Sequence, residues 1–170
     1  MSPPQPEFVQ ASPREAEEIQ TIAQTIWREV YPEIISAEQI EYMLAEMYAP
    51  EVIRADIEAG KEYFWITLES ERAGFLAVDN DEGRDALFID KLYLAPSHHG
   101  QGIGQRALSF AANHGRERGR SILSLRVNRN NDLAIRAYKR AGFKTVGELC
   151  VQIGGGFEMD DYWMECPITN

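Results

Sequence analysis

Apolar positions along the chain change period repeatedly, and each change marks an element. Ile19, Ile22, Ala23, Ile26, Trp27 and Val30 recur at helical spacing and predict an amphipathic helix. Ser12-Pro13-Arg14-Glu15 reads as its capping box, with proline at the first helical position, and Tyr31-Pro32 stops it. Phe8–Ala11 predicts a short strand before it. Ser36 to Gln39 repeats the capping logic ahead of a second stripe, Ile40, Met43, Leu44 and Met47. Pro50–Ala59 predicts a third helical piece, ended by Gly60. The pattern then turns to strands. Tyr63–Leu68 and Ala73–Val78 form a predicted hairpin through Glu69–Arg72. Asp79–Asp85 reads as a solvated turn, because its glycine comes too early for a calcium loop.

The stretch from Leu87 to Arg106 organises the rest. Strand formers run from Leu87 until Pro96 ends them, and Gly100, Gly102 and Gly104 follow at alternate positions. A helix begins at Ile103, with Ala107, Phe110 and Ala111 on one face. Ile122–Val127 is a further strand, Asn128 to Asn131 cap a helix over Leu133–Ala141, and Gly142 stops it. Phe143–Ile153 and Tyr162–Pro167 are the last two strands, with Gly154–Gly156 as a turn between them. The result is an α/β (α+β) domain over residues 8–170 behind a flexible tail, residues 1–7, which lacks the positive and apolar regions of a signal peptide.

Composition narrows the partners. A chain of 170 residues with 44% hydrophobic positions holds one proper core, and no stretch reaches the roughly 18–20 apolar residues of a membrane span. The net charge of −10 with no basic stripe argues against nucleic acid or an anionic membrane, and favours cationic ligands. Cys150 and Cys166 fall in strand-like runs and are expected as buried thiols in a reducing cytoplasm. Three histidines without a partner cluster make no metal site.

Strand, glycine turn and helix start together hold phosphates. Residues without a Cβ let backbone N–H groups approach an anion, and the first helical turn offers donors and a favourable dipole. The turn fails the dinucleotide fingerprint, since Gln105 replaces the third glycine, and lacks the Gly-Lys-Ser/Thr of a triphosphate loop. His99-Gly100-Gln101-Gly102-Ile103-Gly104 instead resembles the Arg/Gln-x-x-Gly-x-Gly/Ala pyrophosphate loop of the GNAT superfamily of N-acetyltransferases, with His99 in the usual Arg/Gln slot. Asn131, Ala134, Tyr138 and Gly142-Phe143 resemble the family's later Asn-x-x-Ala-x-x-x-Tyr-x-x-x-Gly-Phe signature.

The resemblance implies a central mixed, mostly antiparallel sheet of about seven strands flanked by helices, acetyl-CoA as cosubstrate, and no metal. An amine then attacks the thioester directly. Backbone groups near Leu92, Tyr93 and Leu94 would bond the pantetheine amides, and Gln101, Gly102, Gly104 and Gln105 would hold the pyrophosphate. Asn128 or Asn131 would bond the coenzyme arm as it passes the small Ala134. Tyr138 is the candidate general acid, or merely a tyrosine that orients the thioester. Asp90 is the candidate base, its pKa raised by partial burial, or else a structural carboxylate; Glu148 is its weaker rival. For the acceptor the resemblance implies segments around Trp27, Tyr31 and Glu33, and around Phe157, Glu158, Asp160, Asp161 and Tyr162, where rings and carboxylates suit a protonated amine, or else are ordinary core aromatics and surface acids. Trp27–Pro32 and Met159–Glu165 resemble small members near the polyamine-acetylating branch. A protein or peptide amine, a non-catalytic acyl-CoA-binding regulator and a homodimer remain alternatives.

Overall fold

The computed structural model describes residues 2–169; Met1 of the expected tail lies outside them. Its elements, in order, are β1 (Glu7–Gln10), α1 (Ala16–Val30), α2 (Ala37–Met47), α3 (Pro50–Glu58), β2 (Glu62–Leu68), β3 (Glu71–Asp81), β4 (Ala86–Leu94), α4 (Ile103–Glu117), β5 (Ile122–Asn128), α5 (Asp132–Arg140), β6 (Lys144–Gly154) and β7 (Phe157–Pro167). Seven strands form one mixed sheet in the order β1-β2-β3-β4-β5-β7-β6. β4 and β5 run parallel, while β1–β2, β5–β7 and β6–β7 are antiparallel. The β4–β5 register covers Ala86–Ile89 against Ile122–Leu125, although both strands continue beyond it.

Two compact units emerge from the packing. One comprises the chain up to Ala77 with Lys91–Ala107; the other comprises Val78–Asp90 and everything from Leu108. β3 and β4 contribute residues to both. In the first unit Ile19, Ala23, Ile26 and Trp27 of α1 are buried, as their spacing predicts. An aromatic chain continues from them: Trp27 stacks on Tyr31 at 4.4 Å, meets Tyr48 edge-on at 5.6 Å, and Tyr48 meets Phe75 at 6.1 Å. Each buried ring contributes about 2–3 kcal/mol through the area it removes from water. Lys91, only 4% exposed, lies among these rings, its Nζ 5.4 Å from the Tyr48 centroid and 5.8 Å from that of Tyr63. In the second unit Leu87, Leu123, Leu125, Ile135, Phe143 and Met164 are buried.

Several local expectations need correction. Ser12 makes no side-chain cap; Pro13–Glu15 is a 3-10 turn, and α1 starts only at Ala16. The reason is Glu15, whose carboxylate accepts the Trp65 indole N–H and lies 3.7 Å from Arg72 instead of folding back on the helix end. Ser36 does cap α2, accepting from Gln39 N–H at 3.1 Å. β7 begins at Phe157, five positions ahead of Tyr162, because antiparallel pairing to β6 continues to Gly154↔Phe157. Cys150 is exposed, where a buried thiol is expected, and donates to Glu158 at 2.8 Å from the outer face of β6.

Gly74 marks the tightest approach in the first unit. A Cβ there would stand 1.9 Å from the Tyr93 carbonyl oxygen, and backbone cannot give way as a flexible side chain does. Gly74→Ala is therefore expected to destabilise the protein by about 3 kcal/mol or more, read as a lowered urea midpoint. A midpoint within experimental error of the parent's would contradict this packing.

Candidate active site

The first unit holds the glycine turn. β4 ends at Leu94, a 3-10 turn spans Pro96–His98, and α4 starts at Ile103. Gly100 and Gly102 have φ of 76° and 78°, the left-handed region where a side chain is strained. A Cβ on either would meet nothing within 4 Å, so open space lies over both. Gly104 is different: it sits in the helix with ordinary φ, and its Cβ would make plain contact with Leu94 at 3.8 Å. The first bond into α4 runs from Arg106 N–H to the Gly102 carbonyl at 3.2 Å, and a helix's first turn makes no such bonds of its own. This arrangement fits a diphosphate. The His99 ring is engaged with the strand end: its Nε2 lies 2.9 Å from the Leu94 carbonyl, closing the turn back onto β4. Arg106 donates to Gln5, so the expected tail is tied down at that point.

Leu92, Tyr93 and Leu94 are half-buried at the end of β4. The Tyr93 ring belongs to the aromatic chain, 5.6 Å from Trp27 and 5.7 Å from Phe75, with its hydroxyl 3.3 Å from that of Tyr31. Trp27 is 1% exposed, with Tyr31 stacked on its ring. Tyr31 is half-buried and Glu33 exposed.

The second unit holds the asparagine–tyrosine segment. Asn131 caps α5, its Oδ1 accepting from Ala134 N–H at 3.3 Å, while Asn128 Oδ1 accepts from Asn130 N–H at 2.9 Å. Both side-chain oxygens are thus engaged locally, leaving their amide hydrogens for other acceptors. Ala134 and Tyr138 are half-buried on α5, and the Tyr138 ring lies 5.7 Å from Phe143. Asp90 is half-buried on β4. Glu148 has an exposed side chain, 3.6 Å from Arg129.

Strand alternation divides the acceptor candidates. Along β7 successive side chains point to opposite faces, so Asp161 and Tyr162 cannot line one surface. Asp161 shares its face with Asn128, its register partner, and with Arg126 and Trp163, which oppose each other two pairs further on. It is 3% exposed, and its carboxylate lies 3.2 Å from Arg126 Nη2. Burial pushes the Asp161 carboxyl above its ordinary range, with Arg126 pulling the other way. Tyr162, on the opposite face, lies under the Arg129 guanidinium at 5.0 Å, and Arg129 also pairs with Asp160 at 3.0 Å. Phe157 is half-buried and Glu158 exposed at the start of β7. Among the described residues no group of three or more His, Cys, Asp or Glu is placed to hold a metal ion, and no helix is long and apolar enough to cross a membrane.

Residues 17–143 match the model of the acetyltransferase (GNAT) family, a span that includes both the glycine turn and the asparagine–tyrosine segment. The chain belongs to that family. Streptothricin acetyltransferase of Streptomyces lavendulae is 40% identical over 79 residues, 46% of this chain and 42% of that protein. The match thus spans less than half the length of that relative. An uncharacterised N-acetyltransferase of Lactobacillus delbrueckii subsp. lactis is 24% identical across 90% of this chain and 92% of its own. The crystal structure of PaiA N-acetyltransferase from Thermoplasma acidophilum, in complex with coenzyme A, covers 96% of this chain and 99% of its own, with a TM-score of 0.78 at 23% identity. This GNAT chain therefore shares the fold of that enzyme.

Sequence reasoning passed over Arg126 and Trp163. Their signal is the alternation along β7 combined with a basic residue inside the apolar β5 run. Replacing Arg126 by leucine leaves Asp161 buried without its cation, at a cost of about 3 kcal/mol at neutral pH. The sign follows from linkage. A carboxyl whose folded pKa is raised binds its proton more readily in the native state than in the unfolded chain, so that contribution to stability is lost as pH rises through the folded value. The variant's deficit should accordingly be small near pH 4 and full at pH 7 in paired urea titrations. A deficit independent of pH would remove the Asp161–Arg126 coupling.

Proposed function

We propose that this protein transfers the acetyl group of acetyl-CoA to a primary amine, by direct attack while both are bound. The observation that carries this reading is the paired left-handed geometry of Gly100 and Gly102 ahead of the fifteen-residue helix α4, with open space over both. Backbone N–H groups of Gln101, Gly102, Gly104 and Gln105 hold the diphosphate, and main-chain groups of Leu92, Tyr93 and Leu94 hold the pantetheine amides. Amide hydrogens of Asn128 and Asn131 are left for the coenzyme arm. Asp90 takes the proton that the attacking ammonium must shed, directly or through water. The amine lone pair forms the new N–C bond, the C–S bond breaks, and Tyr138 donates its phenolic proton to the departing thiolate, whose pKa lies somewhat below the phenol's ~10; the second proton that the nitrogen sheds on becoming an amide restores the phenol. The acceptor is a small cationic amine of the polyamine kind, in keeping with the chain's net charge of −10. Two free cysteines suit a reducing compartment, and we place the reaction in the cytoplasm.

Steady-state thiol release across an amine panel tests the reaction; tight coenzyme binding without turnover would leave a regulator instead. Tyr138→Phe is expected to lower turnover about 100-fold with coenzyme affinity nearly unchanged, and unaltered turnover would remove the acid role. Gly102→Val meets no protein atom, but forces valine into a left-handed conformation costing about 1–2 kcal/mol and fills the space over the turn. Titration calorimetry should then detect no coenzyme A binding to a protein that still melts cooperatively. Undiminished affinity would place the coenzyme elsewhere.

A further inference from the structure

Arg106 is out of place on electrostatic grounds. It closes the first turn of α4, its N–H bonded to the Gly102 carbonyl at 3.2 Å, so a cationic side chain stands at the positive end of the helix dipole. A carboxylate would offset that repulsion, and Arg28, Arg54, Arg72 and Arg129 each face one. Among the described residues none pairs with Arg106, although the chain carries 27 acidic residues. Its partner is neutral instead: Nη1 donates to the Gln5 side-chain oxygen. From Pro96 to Ala107 the sequence has no other lysine or arginine, and the His99 ring is engaged with the Leu94 carbonyl. The permanent charge available to the glycine turn is therefore that of Arg106.

Helix geometry aims that charge. A residue four positions on shares the helix face, and helical side chains lean toward the N-terminus, so Arg106 is directed back over the turn that begins at Gly102. Open space lies over that glycine. Gln5 fixes one end of the guanidinium. It precedes Pro6, which restricts it to extended backbone, and stands two positions ahead of Glu7, the register partner of Thr67 in β2. A bond at Nη1 leaves Nε and Nη2 free, the edge of the fork that matches two phosphate oxygens. We propose that the Arg106 guanidinium binds the coenzyme's diphosphate, with Gln5 as the positioning residue that holds it there. This rests on the acetyltransferase reading of the glycine turn and adds a side-chain cation to its main-chain donors. A net charge of −10 repels an anionic cosubstrate, which a cation at the turn counters locally.

Titration calorimetry of the full chain compares coenzyme A with dephospho-coenzyme A, which keeps the diphosphate and lacks the ribose phosphate. Arg106 and Gln5 are both exposed, so their variants keep the fold. Arg106→Ala is expected to weaken both ligands by the same factor, about tenfold or more, and Arg106→Lys, which keeps the charge but loses the fork, to fall between. Added salt should weaken binding more steeply in the parent than in Arg106→Ala. Gln5→Ala is expected to cost about threefold in the parent and nothing in an Arg106→Ala background. Gln5→Glu, which supplies the missing carboxylate, should cost more than Gln5→Ala. In turnover the Gln5 variants should raise the KM for acetyl-CoA and leave kcat unchanged. A loss confined to coenzyme A overturns the diphosphate assignment, and unaltered affinity in Arg106→Ala overturns the contact itself. Gln5→Ala binding more tightly, or costing the same with and without Arg106, overturns the positioning role. The two readings fail distinguishably: a parent that binds no coenzyme removes the glycine-turn reading and this inference with it, whereas binding indifferent to Arg106 removes this inference alone.

Discussion

The close approach of β3 to β4 at Gly74 is the constraint on which the glycine turn depends. With no Cβ in the way, the Tyr93 carbonyl comes nearer to β3 than any other residue would permit. Ala95 N–H then bonds the Ala73 carbonyl at 2.9 Å, and the Leu94 carbonyl, turned outward, meets His99 at 2.9 Å. The last residues of β4 are thereby fixed on both sides before the chain enters its turn. Tyr93 adds a third anchor, because its ring is locked among Trp27, Tyr31 and Phe75. A phosphate cradle made of backbone needs this kind of support. Its donors are main-chain groups, so its precision is borrowed from the strand before it, the helix after it and the His99 and Gln101 side chains that bond back to the turn.

The second unit solves a different problem, that of placing charge on a sheet. β7 carries Asp160, Asp161 and Glu165 among apolar residues, and alternation sends them to different faces. Each face supplies its own arginine. Arg126 answers Asp161 where burial is nearly complete, while Arg129 answers Asp160 and Glu148 in a more open setting and covers Tyr162 as well. The buried pair matters more, since a charge removed from water is stabilised only by what faces it. That asymmetry makes Arg126 a structural residue with a pH signature, and leaves Arg129 a surface clamp.

Helices α1, α2 and α5 and the glycine turn were legible because their signals are local. Spacing gives the buried stripe, a cap gives the start, and glycines at left-handed φ give the turn. Ser12 shows where such signals fail: a capping box needs its glutamate, and Glu15 is drawn away by Trp65 and Arg72, residues some fifty positions later in the chain. Non-local competition of this kind leaves no trace in a short window. The same limit explains Trp27. Its spacing marked it for a helix face, but only the rings of Tyr31, Tyr48 and Tyr93 determine what that face meets. For β7 the missing information was register. Asp161 and Tyr162 look like one acceptor cluster in sequence and become opposite faces once pairing to β5 is known.

Net charge illustrates why acceptor recognition must be sought in a particular place. A balance of −10 draws cations toward the whole surface, but beyond about 8–10 Å such attraction is screened at ordinary salt. Most acidic side chains are therefore interchangeable as far as a ligand is concerned. Discrimination needs a carboxylate within contact range together with a surface that a hydrated cation prefers to water, and an aromatic face is such a surface. Trp65 has one, but Arg72 covers it at 3.9 Å while also pairing with Glu15 and Glu18, which ties that arginine into the packing. Trp163 and Tyr162 carry arginines as well, Arg84 at 4.4 Å and Arg129 at 5.0 Å. The stacks differ in what holds the cation there: Arg72 and Arg129 each face two carboxylates, whereas Arg84 lies 3.9 Å from Asp81.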